Sequence, residues 1–157
     1  MRFEYRISKY NPKFRNAKGH YIPDEWTYFD QVGTRIAGRV LTMKEYLQTE
    51  SAYLKVLEAI LTEADISQLK IRLHYGIVPK RLAHWKRRKK ITVPLAVKLA
   101  RLALREKLGG TLTSPYRFRL NFGWDYYMNV GLSRPTPKAF IVASKLGLFV
   151  EQINHKK

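Results

Sequence analysis

Residues 42–63 read TMKEYLQTESAYLKVLEAILTE and carry the strongest structural signal in the chain. Apolar side chains recur there at spacings of three, four and seven residues, as in an amphipathic helix. They are Tyr46, Leu47, Tyr53, Leu54, Leu57, Ile60 and Leu61. Thr42 and Glu45 have the spacing of a capping box, in which both side chains satisfy backbone N–H groups at a helix start. The pattern therefore predicts a helix that runs to about Glu63.

Segments on both sides of this helix alternate between apolar and polar residues, as half-buried strands do. They are 2–8, 69–73 and 116–122, and Gly123 is expected to turn the last into a second strand around 126–130. Thr92 and Pro94 suggest the start of a second helix, which Gly109–Gly110 would end. A final helix is predicted near 138–145, followed by a strand at 148–150. Residues 11–39 read as a packed loop, and 79–90 as either a helix or a basic loop.

These elements predict one α+β domain over residues 1–157, an antiparallel sheet with about three helices packed on it. The hydrophobic fraction of 45% excludes wholesale disorder. The absence of cysteine excludes a disulfide framework, cysteine zinc sites and thiol catalysis. No apolar run reaches the ~20 residues of a membrane helix. We therefore expect a cytoplasmic protein with no membrane partner.

The net charge of +18 is unevenly distributed. Residues 66–124 contain 15 basic residues and a single acid, Glu106. A field this concentrated attracts anionic partners, although it could also serve solubility. The candidate partner-binding residues are the basic run with its preceding tryptophan and three cations of the next helix: Trp85, Lys86, Arg87, Arg88, Lys89, Lys90, Lys98, Arg101 and Arg105. One interpretation is that the stretch 80–105 binds nucleic acid, with the cations on phosphates and Trp85 stacked on a base.

Motifs for catalysis are missing from the sequence. No histidine pair has metal-ligand spacing, and no glycine-rich loop has the pattern that cradles phosphates, so we expect no metal and no cofactor. Asp24, Glu25 and Asp30 lie close together around Trp26, but carboxylates beside a turn are common on surfaces. In 116–122, the aromatics are expected to face the core and the arginines water. We expect no enzyme, while a site built from dispersed residues stays open.

Several short motifs occur in order along most of the chain. They are Lys9–Pro12, Asp24–Thr27, Asp30–Gly33, Glu45–Leu47 followed by Glu50, Leu104–Glu106, Phe122–Met128 and Gly147–Glu151. This ordered set resembles a family of small bacterial immunity proteins from toxin–immunity pairs, such as those of contact-dependent growth inhibition and polymorphic toxins. The resemblance implies a non-catalytic protein that binds and neutralises a cognate toxin domain. It also implies that the following motif residues are structural: Trp26, Asp30, Gly33, Asp125, Tyr126 and Tyr127.

The positive charge departs from what an inhibitor of a nucleic-acid-cleaving toxin would need. Such toxins have positive surfaces, so their inhibitors are expected to be acidic. Three explanations stay open. The toxin presents an acidic contact surface, or the acidic helix from Glu45 to Glu63 makes the contact, or the charge serves another task.

Overall fold

The computed structural model describes residues 1–76, 90–123 and 125–153. The strands are β1 (Phe3–Ser8), β2 (Arg35–Ile36), β3 (Arg39–Val40), β4 (Gln68–Gly76), β5 (Ile91–Thr92), β6 (Leu108–Ser114), β7 (Phe118–Phe122), β8 (Met128–Leu132) and β9 (Phe149–Gln152). The helices are α1 (Met43–Glu63), α2 (Val93–Leu104) and α3 (Pro137–Lys145), with short 3-10 helices at Pro12–Phe14 and Phe29–Gln31. The predicted α+β domain, with helices on an antiparallel sheet, is confirmed.

Seven strands form one antiparallel sheet in the order β5-β4-β6-β7-β8-β1-β9, and β2 and β3 form a separate hairpin. The register aligns an apolar row across five of the strands: Ile71, Leu112, Leu120, Val130 and Tyr5. Because strand side chains alternate between faces, the neighbouring residues form polar rows on the other face. The helices pack on the apolar face, and the core lies between them and the sheet.

The predicted central helix is confirmed as α1. The Thr42 hydroxyl accepts a hydrogen bond from the Glu45 backbone N–H, and the Glu45 carboxylate accepts one from the Thr42 backbone N–H. The apolar stripe of α1 is buried in the core, and the helix contacts both α2 and α3. Leu47, which was expected on this stripe, is instead 42% exposed. This helix is therefore the central support of the helical layer.

The end of α2 differs from the sequence expectation. The helix stops at Leu104, and Glu106 adopts a left-handed backbone with φ of 55°. The Glu106 N–H donates to the Ala103 carbonyl and the Lys107 N–H to the Leu102 carbonyl, which is a Schellman motif. Thr92 precedes the helix but makes no side-chain capping hydrogen bond. The expected helix start is confirmed, with Thr92 as the N-cap residue and Pro94 in the first turn, whereas the expected stop at Gly109–Gly110 was wrong.

Gly109 and Gly110 instead lie in β6, a strand that the sequence analysis missed. A Cβ atom at Gly109 would come within 2.1 Å of Cε1 of Tyr75, and one at Gly110 within 2.8 Å of the Arg72 carbonyl oxygen. The close approach of the β4 backbone therefore requires Gly110, whereas a side chain at Gly109 would displace the exposed Tyr75 ring. The two glycines concealed the strand because they lack the β-branched character typical of strands.

The hairpin predicted around Gly123 is confirmed with shifted bounds. Tyr116 lies in the turn between β6 and β7, with φ of 59° and 93% of its surface exposed, so β7 begins at Phe118. The strand after the turn begins at Met128, which pairs with Phe122. Phe118 and Leu120 are buried and Arg119 is exposed, as expected for a half-buried strand.

The expectation for residues 79–90 falls almost wholly outside the described residues, which resume at Lys90. In the described parts of the chain, none of the helices is long and apolar enough to cross a membrane.

Candidate functional site

Motif residues from distant parts of the sequence meet in one buried aromatic cluster. The centroid of the Trp26 ring lies 5.7 Å from that of the Tyr46 ring and 5.3 Å from that of the Tyr126 ring. Tyr53 lies 5.6 Å from Tyr126 on the other side. Edge-on and tilted aromatic contacts at these distances contribute beyond the area they bury. The cluster therefore fixes the loop around Trp26 and the β7–β8 turn onto α1.

The hydroxyl of Tyr53 connects two of the motifs directly. It accepts a hydrogen bond from the backbone N–H of Lys9 at 2.7 Å and donates one to the backbone carbonyl of Tyr126 at 2.7 Å. Burial raises the pKa of Tyr53 well above its usual value, because the charged form would lose its solvation. The neutral hydroxyl therefore acts as a structural link between strand β1 and the β7–β8 turn.

A buried ion pair borders the aromatic cluster. Glu50 of α1 is only 3% exposed and receives two hydrogen bonds from the Arg105 guanidinium, at 2.5 and 2.9 Å. Arg101 Nε lies 3.3 Å from Glu50 Oε1, and the Tyr46 hydroxyl donates to the carboxylate at 3.2 Å. A buried carboxylate with this many donors is fully compensated, so it serves the fold.

A second ion pair joins the first and second motifs. Lys9 Nζ donates to Glu25 Oε2 at 2.6 Å, while Tyr21 donates to Glu25 Oε1 at 2.5 Å. The ammonium also lies 4.3 Å from the ring centroids of Tyr10 and Trp26. Burial lowers the pKa of Lys9, and the Glu25 carboxylate opposes that shift. Glu25 is thus engaged by internal partners, whereas Asp24 and Asp30 are both exposed.

The remaining motif residues lie around these contacts. Asp30 is exposed, with a carboxylate oxygen 3.7 Å from Lys107 Nζ. Gly33 has a φ of 87°, and its N–H donates to the Leu41 carbonyl. Asp125 is exposed in the β7–β8 turn, and Tyr127 is half-buried beneath the Arg6 guanidinium at 5.0 Å. The structure therefore brings Trp26 and Tyr126 together and leaves the other four at the periphery.

The predicted partner-binding residues fall into three groups. Trp85, Lys86, Arg87, Arg88 and Lys89 lie outside the described residues. Lys90 and Lys98 are exposed. Arg101 and Arg105 lie beside Glu50, and the Arg105 guanidinium stacks 4.9 Å from the Phe29 ring centroid. The charge of Arg105 is therefore already engaged inside the fold.

The acidic residues of α1 are mostly engaged as well. Glu45 caps its own helix and pairs with Arg39 at 2.9 Å. Glu50 is buried, and the Glu63 carboxylate accepts the backbone N–H groups of Lys138 and Ala139 at the start of α3. Glu58 is exposed and forms no ion pair with another described residue. This leaves little acidic surface on α1 for a partner.

The sheet carries a basic surface that sequence reasoning missed. We call it the open sheet face and define it by the polar residues of β4, β6 and β7: Lys70, Arg72, Thr111, Thr113, Arg119 and Asn121. The register places Lys70 beside Thr113 and Arg72 beside Thr111. Lys70 and Arg72 are exposed, and Arg119 pairs with Glu4 at 3.1 Å. The alternation of these cations was visible, but the missing strand β6 hid their adjacency.

Metal chemistry has no support in the described ranges, where no three histidine or acidic side chains converge. No protein-family model, no curated protein and no solved structure matches the chain.

Proposed function

We propose that this chain is an immunity-type protein that binds a cognate toxin domain and neutralises it without catalysis of its own. The observation that carries the proposal is the packing of the motif residues. Lys9, Glu25, Trp26, Glu50 and Tyr126 come from four motifs and form one connected internal cluster, in which Tyr46 joins Glu50 to Trp26 and Tyr126. The resemblance implies that its motif residues are structural, and their packing into one core supports that implication.

The distribution of charge favours a toxin with an acidic contact surface. The acids of α1 are largely used within the fold, whereas cations such as Lys70, Arg72 and Lys98 remain exposed. Opposite potentials steer association and hold the register of a complex. Of the three explanations for the basic charge, an acidic partner surface therefore has the most support, and contact through the acids of α1 the least.

Neutralisation in this proposal is steric and electrostatic. Motif residues hold the scaffold rigid, and the exposed cations attach it over or beside the toxin's active site. A preorganised surface loses little conformational entropy on binding, which favours a tight complex.

The proposal is tested by growth of cells that express the toxin domain encoded beside this chain. Co-expression of the wild-type chain is expected to restore growth, and a Trp26→Asp variant, which buries a charge in the aromatic cluster, is expected not to. Unchanged toxicity in the presence of folded, soluble wild-type chain would overturn the proposal.

Nucleic-acid binding is the second candidate, and the open sheet face favours it. Exposed cations interleaved with Thr and Asn side chains suit a phosphate backbone. The double variant K70E/R72E is expected to weaken RNA binding and flatten its salt dependence. The matched variant K13E/K18E reverses the same charge on the 3-10 helix loop. Equal losses from both variants would mean unspecific attraction and would count against a site on the sheet.

A further inference from the structure

A groove between α1 and α3 combines an apolar floor with a basic rim. Leu47, Ala52 and Leu146 contribute apolar surface, and Lys44, Lys55 and Lys145 surround it. The groove has a volume of about 850 Å³ and opens to solvent. It lies on the outer side of the helical layer, away from the open sheet face.

The lysines on α1 are set by helix periodicity. Lys44 and Lys55 are eleven residues apart, which is three turns and about 16 Å along the helix axis. Residues three, seven and eleven positions apart share one face, so Leu47 and Ser51 lie on the same stripe between the two lysines. The α1 side of the groove therefore has a charge at each end, with Leu47, Gln48 and Ser51 between them.

The wall formed by α3 is held in one conformation. Its last residues, Lys145 and Leu146, precede Gly147, which has a φ of 77°. The Leu148 N–H donates to the Ala143 carbonyl and the Gly147 N–H to the Ser144 carbonyl, which completes a Schellman motif. Lys145 and Leu146 are thus presented in a fixed position opposite α1.

Large apolar side chains remain exposed along both walls. Leu47 is 42% exposed and Leu146 is 36% exposed. Met43 and Ile141 lie one turn before Leu47 and Lys145, respectively, outside the groove lining, and are exposed to a similar or greater extent. Burial of the exposed leucine side chains by a partner would be favourable, because it removes apolar surface from water.

The rim charges have no internal partners in the described ranges. Lys44, Lys55 and Lys145 form no ion pair with any described residue, and no described acid lines the groove. An occupant must therefore bring both apolar side chains for the floor and carboxylates for the rim.

We infer that this groove binds an acidic amphipathic helix of the partner protein. An α-helix suits a groove between two helices, because apolar residues on one of its faces fill the floor while flanking acids reach the rim. A nucleic acid would leave Leu47 and Leu146 without apolar contacts. The inference rests on the proposed function, since it names the part of the toxin that the chain contacts.

The test is the dissociation constant of the complex with the whole toxin domain. The variant K44E/K55E/K145E is expected to weaken binding by about 100-fold, because the three glutamates would repel the carboxylates of the partner helix. The control K13E/K18E on the 3-10 helix loop is expected to change it less than about threefold, since charges outside an interface contribute little. Lys44 lies in the first turn of α1, where a glutamate favours the helix, and circular dichroism checks the fold.

A photo-crosslinking residue at Ser51, in the middle of the groove, identifies the occupant. The cross-linked toxin peptide is expected to be helical and rich in Asp and Glu. A complex that survives the triple reversal, or cross-links to a basic segment or to RNA, would overturn the inference alone. Absence of any complex with the wild-type chain would overturn the proposed function, and this inference with it.

Discussion

Arg105, one residue beyond α2, holds the buried carboxylate of Glu50 in α1 through two hydrogen bonds of 2.5 and 2.9 Å. The two residues are 55 positions apart, and both belong to motifs that carry the family resemblance. Their contact fixes α2 against α1 and closes one side of the aromatic cluster around Tyr46. Arg105, which the sequence suggested as a partner-binding residue, and Glu50, a motif residue, therefore form one buried ion pair that serves the fold.

Removal of Arg105 is expected to be costly. Arg105→Ala leaves the buried Glu50 carboxylate with the exposed Arg101 and the Tyr46 hydroxyl as its described partners. Breaking a buried pair from one side costs about 3 kcal/mol. Arg101 is exposed, so Arg101→Ala is expected to cost less than about 1 kcal/mol. Urea unfolding of both variants measures the difference. Equal losses would show that the bidentate geometry carries no special weight.

The Tyr53 hydroxyl is expected to contribute strongly to stability. Tyr53→Phe leaves the Lys9 N–H and the Tyr126 carbonyl without their partner in the core, at a cost of about 1–3 kcal/mol. Tyr116→Phe is the matched control, because that side chain is 93% exposed, and its effect is expected within about 0.5 kcal/mol. A Tyr53→Phe variant as stable as the wild type would mean that water replaces the bridge.

At the ends of α2 and α3, introducing a glycine and removing one are expected to change stability in opposite directions. Gly147 and Glu106 occupy the same left-handed position of a Schellman motif, after α3 and α2 respectively. Gly147→Ala is expected to destabilise by about 1 kcal/mol and Glu106→Gly to stabilise by a similar amount, since glycine adopts this backbone without strain. No described atom crowds the Gly147 position, so the effect is conformational.

Thermal unfolding of both variants measures these changes. Ser144→Ala, on the exposed side of α3, serves as control and is expected to change stability within about 0.5 kcal/mol. The same sign for Gly147→Ala and Glu106→Gly would contradict the assignment of the two helix ends.

Alkaline pH is expected to unfold the chain through its buried tyrosines. Burial raises the pKa of Tyr46 to about 12, and it also raises the pKa values of Tyr53 and Tyr126 well above their usual value. In the unfolded chain these three tyrosines lose their protons near pH 10, whereas in the folded chain they retain them. The stability that these groups contribute is therefore fully present below pH 10 and is lost as the pH rises from 10 towards 12.

Absorbance of tyrosinate at 295 nm, recorded together with circular dichroism, tests this. We expect part of the tyrosinate signal to appear only as the helices unfold. In Tyr46→Phe, the loss of stability per pH unit is expected to be smaller by at most about 1.4 kcal/mol. Complete tyrosine ionisation in a chain that is still folded would contradict the buried cluster.

The sequence predicted the features that depend only on local spacing. The apolar stripe and capping box of α1 and the alternation of β1 and β7 are examples, because each side chain there is determined by the face of a single element on which it lies. Strand β6 was missed because its two glycines lie in close contact with Tyr75 and Arg72 of β4, a relation between strands that local spacing does not show. The C-terminal end of α2 and the start of β7 depend on Glu106 and Tyr116, which adopt a left-handed backbone. Neither glutamate nor tyrosine favours that conformation, so the residue types did not predict it.

The candidate site shows the same division. Exposure of Lys90 and Lys98 followed from their charge, but the engagement of Arg105 with Glu50 depends on how α2 crosses α1. The open sheet face depends on strand order, and the groove depends on the position of α3 beside α1. No spacing along the sequence encodes those relations.

Light scattering after size exclusion, with the toxin domain encoded beside this chain, measures whether this basic chain binds a protein. The mixture is treated with nuclease and run in about 0.5 M salt, where attraction between exposed charges is largely screened. We expect a stable one-to-one complex that resists this salt. Elution of the chain alone under these conditions, together with RNA binding at low salt, would overturn the proposed protein interaction.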